Sequence, residues 1–228
     1  MADNRAARDT ILARVRAALG KKLPDAQAKA NAEAYVVAHR HGPRPQMPAD
    51  LRARFIERAR DMSSTVESIA ATSDVPRATA RYLDTLAADI GGQSRAGVCW
   101  PEFAPLDWST AGLSIEPRPT LGNDQLGITG CFCAIAETGT IVLTSGAGTP
   151  TATALLPDTH VAIVRADRIV SGMEEAFALI RAEHGPMPRA LNLISGPSRT
   201  GDIEQTIVLG AHGPFRVHLL DVAGARRP

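Results

Sequence analysis

Apolar positions along the chain follow two regimes. Up to about residue 90 they recur at helical spacing. Ile11, Leu12, Val15 and Leu19 mark a first helix that Gly20 stops, and a second helical stretch covers about Asn31 to His39. The segment "HGPRPQMP" then interposes Pro43, Pro45 and Pro48, which rule out a continuous helix. The pattern next predicts one long amphipathic helix over "ADLRARFIERARDMSSTVESIAAT", with Leu51, Phe55, Ile56, Ala59 and Met62 on one side. A further helix over "VPRATARYLDTLAADIGG" has Pro76 in its first turn and Gly91 at its end.

From about Arg95 the texture changes to short apolar runs separated by turns. "AGVCW", "LSIEP", "CFCAIA", "TIVLTS", "HVAIVRA", "ALNLIS" and "FRVHLLDV" read as strands. "CFCAIA" and "TIVLTS" are joined by Glu137-Thr138-Gly139, a hairpin connection with glycine available for a left-handed position. "GMEEAFALIRAEHG" is an amphipathic helix, and Asp202 to Leu209 is expected to form a short helix ending at Gly210. Strands alternating with helices predict an α/β fold: an open, mostly parallel sheet with helices on both faces. The expected division is an N-terminal helical arm with its proline-rich joint over 1–48 and an α/β domain over 49–228.

Composition narrows the function classes. Among 228 residues, 25 Lys and Arg against 24 Asp and Glu leave a formal charge of +1, so no basic field points to nucleic acid. No apolar run approaches the roughly 20 residues of a membrane helix, and the charged N-terminus lacks a signal-peptide core. The expectation is a cytoplasmic protein. Three cysteines, an odd number, argue against a disulfide framework and fall short of the four that hold an iron–sulfur cluster. Cys131 and Cys133 alternate about Phe132 on a strand, which would place both thiols on one side. The expected role of all three cysteines is that of small core residues, with no metal and no cofactor.

Chemistry concentrates in "SGPSRTGDIEQTIVLGAHGP", Ser195 to Pro214, between two strands. Ser198 or Thr200 can cap the short helix. Arg199 adds a full positive charge beside the helix N-terminus, an arrangement suited to phosphate or carboxylate. Asp202 and Glu204 stand two apart, so on a helix they cannot form a carboxylate dyad. The bland reading is that Asp202 caps the helix and pairs with Arg199. His212, between two glycines, is an acid–base candidate or a turn histidine bonded to a carbonyl. Glu137, at the hairpin corner, is a candidate nucleophile or base, or an acceptor for N–H groups of its own turn. The loop Ser145–Pro150 nearly matches a dinucleotide fingerprint through Gly146 and Gly148, but Thr151 replaces the third glycine.

Read in order, "AIAETGTIVLTSG", "LLPDTHVAIVRADRIV" and "ISGPSRTGDIEQTIVLGAHGP" followed by "FRVHLLDV" resemble the LUD-domain family, and within it the lactate-utilisation C-type members. The resemblance runs from roughly Arg95 to Val222. Gly201 stands where the family commonly has alanine. It implies a fold like that of the sugar-phosphate isomerase and CoA-transferase group. It also implies a part in oxidising lactate to pyruvate beside iron–sulfur partner proteins, with no cluster in this chain. The site residues expected from the sequence are Thr138, Gly139, Ser195, Gly196, Ser198, Arg199, Thr200, Asp202 and Glu204 for a small anionic metabolite, with Glu137 and His212 as catalytic candidates. A stand-alone isomerase or acyl transferase acting on a sugar phosphate or acyl-CoA, and a pure interaction protein, remain the alternatives.

Overall fold

The computed structural model describes residues 5–20, 26–90, 94–203 and 206–224. The chain divides into two units, Met1–Pro45 and Gln46–Pro228. The first holds α1 (Arg5–Ala18) and α2 (Ala26–Ala38), and neither helix has a buried residue.

The second unit is an α/β domain. Its helices are α3 (Leu51–Asp61), α4 (Val75–Ile90), α5 (Ala152–Leu155) and α6 (Met173–His184). Its main sheet contains β1 (Thr65–Ile69), β2 (Ala96–Cys99), β3 (Ser114–Glu116), β4 (Leu126–Gly130), β7 (Thr159–Arg165) and β12 (Arg216–Val222). Their order is β1-β12-β7-β4-β2-β3, and every pairing is parallel. A second sheet, order β8-β5-β6-β9, is formed by β8 (Ile169–Val170), β5 (Cys133–Ile135), β6 (Thr140–Thr144) and β9 (Leu191–Ile194). A hairpin of β10 (Arg199–Ile203) and β11 (Thr206–Leu209) completes the set.

Burial explains the strand sequences. β4 and β6 are buried along their whole length and β7 nearly so, which is why they read as continuous apolar runs without alternation. Phe55 and Ala59 of α3, and Val75, Ala78 and Leu83 of α4, enter the same core as Ile128, Val161 and Leu219 of the sheet. Asp50 caps α3 by accepting from the Ala53 N–H at 2.9 Å. Arg52, in the first turn, holds the wholly buried Asp221 of β12 through two nitrogens, and Ser68 of β1 donates to the same carboxylate at 2.8 Å. A buried charge is tolerable only with such pairing.

Several expectations need correction. The long helix predicted over Ala49 to Thr72 stops at Asp61. Ser63 turns the chain with φ +68°, and the β-branched residues of "TVESI" then form β1 beside β12. "LGITG", not read as a strand, is β4. Its Gly127 packs so closely on the Thr153 carbonyl and Pro157 that any side chain would collide. The helix expected over Asp202 to Leu209 is instead the β10–β11 hairpin. Thr206, Ile207 and Val208 favour extended backbone, and Arg199 and Thr200 pair antiparallel with Leu209 and Val208. Cys131 precedes β5, so the alternation argument fails for it: Cys131 packs against the main core and Cys133 enters the smaller cluster with Ile180.

Candidate functional site

The two sequence motifs meet on one helix end. Gly139, after the β5 strand, has φ +67°, and a side chain there would overlap the backbone of Arg58 and Ala59 in α3. Gly196, after β9, has φ +81°, and a side chain would overlap the Met62 carbonyl. Only glycine combines that conformation with that approach. Hydroxyls tie the motifs to each other: Thr138 bonds Thr140 at 2.6 Å, and Thr140 bonds Ser195 at 2.6 Å. Arg199 then donates to the Met62 carbonyl at 3.2 Å and to the Ser63 hydroxyl, supplying positive charge and donors where α3 has spare carbonyls. Ser198 is held by its backbone, its N–H donating to the Pro214 carbonyl and its own carbonyl accepting from Gly210.

Beside this junction a cleft of ≈ 570 Å³ opens at the amino ends of β1 and β12. Arg199 and Arg216 line it, with the hydroxyl residues Ser63, Thr65, Tyr82 and Thr85 and the apolar residues Ile207 and Phe215. No acidic side chain is among its described lining residues. Arg216 stacks over Phe215 at 4.9 Å and donates to the Thr159 hydroxyl at 3.3 Å. Behind the wall, Thr65 bonds His218 Nδ1 at 2.8 Å, and the Tyr82 and His218 rings stack with centroids 3.9 Å apart. Burial pushes the His218 pKa down to about 4, so the ring is neutral, and it pushes the Tyr82 hydroxyl up.

The structure thus gathers Thr138, Gly139, Ser195, Gly196 and Arg199 about the end of α3, with Arg199 at the cleft, whereas Ser198 packs on the segment before β12. The helix N-terminus expected to hold an anion is absent, because that segment is the hairpin. Thr200 lies buried on β10. Asp202 lies on the same strand, and its side chain, like the whole of Glu204, lies outside the described residues. Glu137 is half-buried with its N–H on the Ser171 carbonyl, and His212 is exposed in the bend before β12; neither lines the cleft. The sequence reading missed Arg216, Tyr82 and Thr65. Arg216 and Thr65 sit at strand starts, where no local motif marks them.

A second cleft, ≈ 590 Å³, lies at the opposite end of the sheet, lined by Trp100, Glu102, Cys131, Thr149, Glu183 and His184 among others. Its thiol is held protonated: burial, with Cys133 and Glu102 nearby, pushes the Cys131 pKa far up. Among the described residues no three His, Cys, Asp or Glu side chains converge as metal ligands, and no helix is long and apolar enough to cross a membrane.

Comparison with known proteins adds a family to this geometry. Residues 57–221, from within α3 to the buried Asp221, match the LUD domain. The chain is 33% identical over 187 residues to the lactate utilization protein C of Deinococcus radiodurans, an alignment covering 79% of this chain and 83% of that protein. It is 38% identical over 121 residues to the lactate utilization protein C of Bacillus licheniformis, covering 51% of this chain and 50% of that protein. A crystal structure of a DUF162 family protein from Deinococcus radiodurans superimposes with a TM-score of 0.56 at 28% identity, covering 79% of this chain and 100% of that one.

Proposed function

The chain belongs to the LUD domain family, and on that premise we propose that it serves lactate utilisation as a subunit without a redox centre, holding a small organic anion in the Arg199–Arg216 cleft. Oxidising lactate to pyruvate removes two electrons and two protons. Three cysteines are too few for a cluster of the ordinary four-thiolate kind, so on this reading the electrons pass to partner proteins, of the iron–sulfur kind that the family resemblance implies. The carrying observation is the sign of the cleft: two guanidinium groups line it, with hydroxyl donors and no described carboxylate. Its volume, ≈ 570 Å³, falls within the roughly 300–1,000 Å³ of small-molecule sites, and Ile207 and Phe215 offer contact to an apolar part of the ligand. Neither Glu137 nor His212 reaches this cleft, so a stand-alone enzyme built on them gains no support.

Arg216 gives the cleaner test, because Arg199 also serves the end of α3. Arg216→Gln should weaken lactate, pyruvate or phosphate binding by about 1.5–3 kcal/mol, the worth of a charge-assisted hydrogen bond. Calorimetric titration of each anion measures this, and growth on lactate of a strain carrying the variant tests the role. Undiminished affinity and growth would make the cleft a structural seam.

A further inference from the structure

The spacing of the two arginines in the amino-end cleft decides what kind of anion fits between them. β1, β12 and β7 lie side by side, so β1 and β7 stand two strand spacings apart, about 10 Å. Arg216 of β12 opposes Thr159 of β7. Thr65 of β1 opposes His218, so Ser63, two residues earlier, flanks Arg216 on the other side. Arg199 reaches Ser63 and the Met62 carbonyl, whereas Arg216 donates to Thr159. The two guanidinium groups therefore bracket the start of β12 instead of converging on one point. At the carboxyl ends, by contrast, the chain leaving β2 turns outward to β3 and that leaving β4 crosses to β7, and acidic side chains line the crevice. Resting on the reading of the Arg199–Arg216 cleft as an anion site, we propose that its ligand carries two anionic groups, one at each end of a short apolar spacer.

The walls support that class at both ends and in the middle. Each arginine gives one nitrogen to neutral oxygens, and a guanidinium has five N–H donors, so donors and full charge remain for a ligand. No described lining carboxylate neutralises either group. Phe215 lies under Arg216 at 4.9 Å and fixes its plane. Between the two charges the lining is apolar: Val217 is buried at the base, and Ile207 and Leu209 stand exposed on the hairpin. Methylene groups suit that stretch, and hydroxyl or charged groups do not. Subtracting a charge-assisted hydrogen bond of ~2.8 Å at each end leaves roughly 4–5 Å between the anionic groups, the span of glutarate or adipate. Lactate has a single carboxylate. It engages one guanidinium and fills a small part of the ≈ 570 Å³.

The test is calorimetric titration of the full chain, at constant ionic strength, with the dicarboxylates from oxalate to suberate and with butyrate and lactate. Affinity should peak at glutarate or adipate, at least tenfold tighter than oxalate, butyrate or lactate. Arg216→Gln should bring glutarate to within about twofold of butyrate, since only one anchor remains. Affinity that does not vary with chain length reflects charge alone and overturns the proposal, as does a folded Arg216→Gln variant that keeps the preference. Should that variant not fold, the length series on the unaltered chain decides. Lactate binding as tightly as glutarate overturns the two-anion assignment while leaving an anion site in place. Absence of saturable binding by every anion, lactate included, overturns both this proposal and the reading on which it rests.

Discussion

The clefts at the two ends of the six-stranded sheet are nearly equal in volume, ≈ 570 and ≈ 590 Å³, yet they are built in opposite ways. At the amino end, two arginines and several hydroxyls surround a space backed by a neutral, stacked histidine. At the carboxyl end, two carboxylates stand beside a thiol that stays protonated. The first is shaped by two contiguous motifs closing on the end of α3, and the second by a change of direction in the chain. Size alone would not tell them apart. Charge and the origin of the walls do.

The largest effect should come from the clamp that shapes the amino end. Gly196→Ala places a methyl group on the Met62 carbonyl at a φ of +81°, combining backbone strain with overlap of main-chain atoms. A loss of about 3 kcal/mol or more is expected. Urea unfolding measures it, and an unchanged midpoint would mean that α3 is not fixed by this contact.

Protonation should separate the two ends next. Folding holds the pKa of His218 down to about 4 and that of His160 to about 3, both by burial, whereas an unfolded histidine titrates near 6.5. The unfolded chain therefore binds more protons at mildly acid pH. Stability is complete above about 6.5 and is lost as the pH falls toward 4, at up to about 1.4 kcal/mol per pH unit for each ring. Each ring keeps one buried nitrogen without a partner among the described residues, Nε2 of His218 and Nδ1 of His160. Equilibrium unfolding from pH 7 to 4.5 should show this slope, and His218→Phe should remove about half of it. An identical slope in the variant would place the titration elsewhere.

The smallest effect is kinetic and belongs to the carboxyl end. Burial raises Cys99 and Cys133 to about 11 and Cys131 further, so at pH 8 the folded chain should react with iodoacetamide more than about tenfold slower than a free thiol. Mass spectrometry after a timed pulse checks it. Fast labelling of Cys131 would reveal a thiolate and turn the crevice into a nucleophilic site.

These differences track what the amino-acid order makes legible. Strands buried on both faces, such as "HVAIVRA", announce themselves as apolar runs, and α4 and α6 show their periodicity and end signals. β1 was hidden because "TVESI" follows a helix with only Ser63 and Ser64 to mark the break. β4 was hidden by its glycines, which serve close packing rather than turning. The β10–β11 segment begins with residues that also suit a helix start, and only pairing with its own return strand decides the matter. The motif residues about Arg199 lie close together in the chain and could be picked out. Trp100, Cys131, Thr149 and His184 come from four distant segments, and nothing short of the strand order brings them together.

The place of β12 has a consequence for how the chain is made. It does not sit at an edge: it enters between β1 and β7, and Thr65 meets its partner His218 only 153 residues later. As the polypeptide emerges from the ribosome, β1 has no neighbour in its sheet, and Asp221 is not yet present to receive Arg52. The helical elements can form early, but the sheet must wait with a gap in its middle. In a nascent chain the flanks of β1 and β7 therefore stay unfilled until β12 has been translated, and the arrival of that strand closes the sheet.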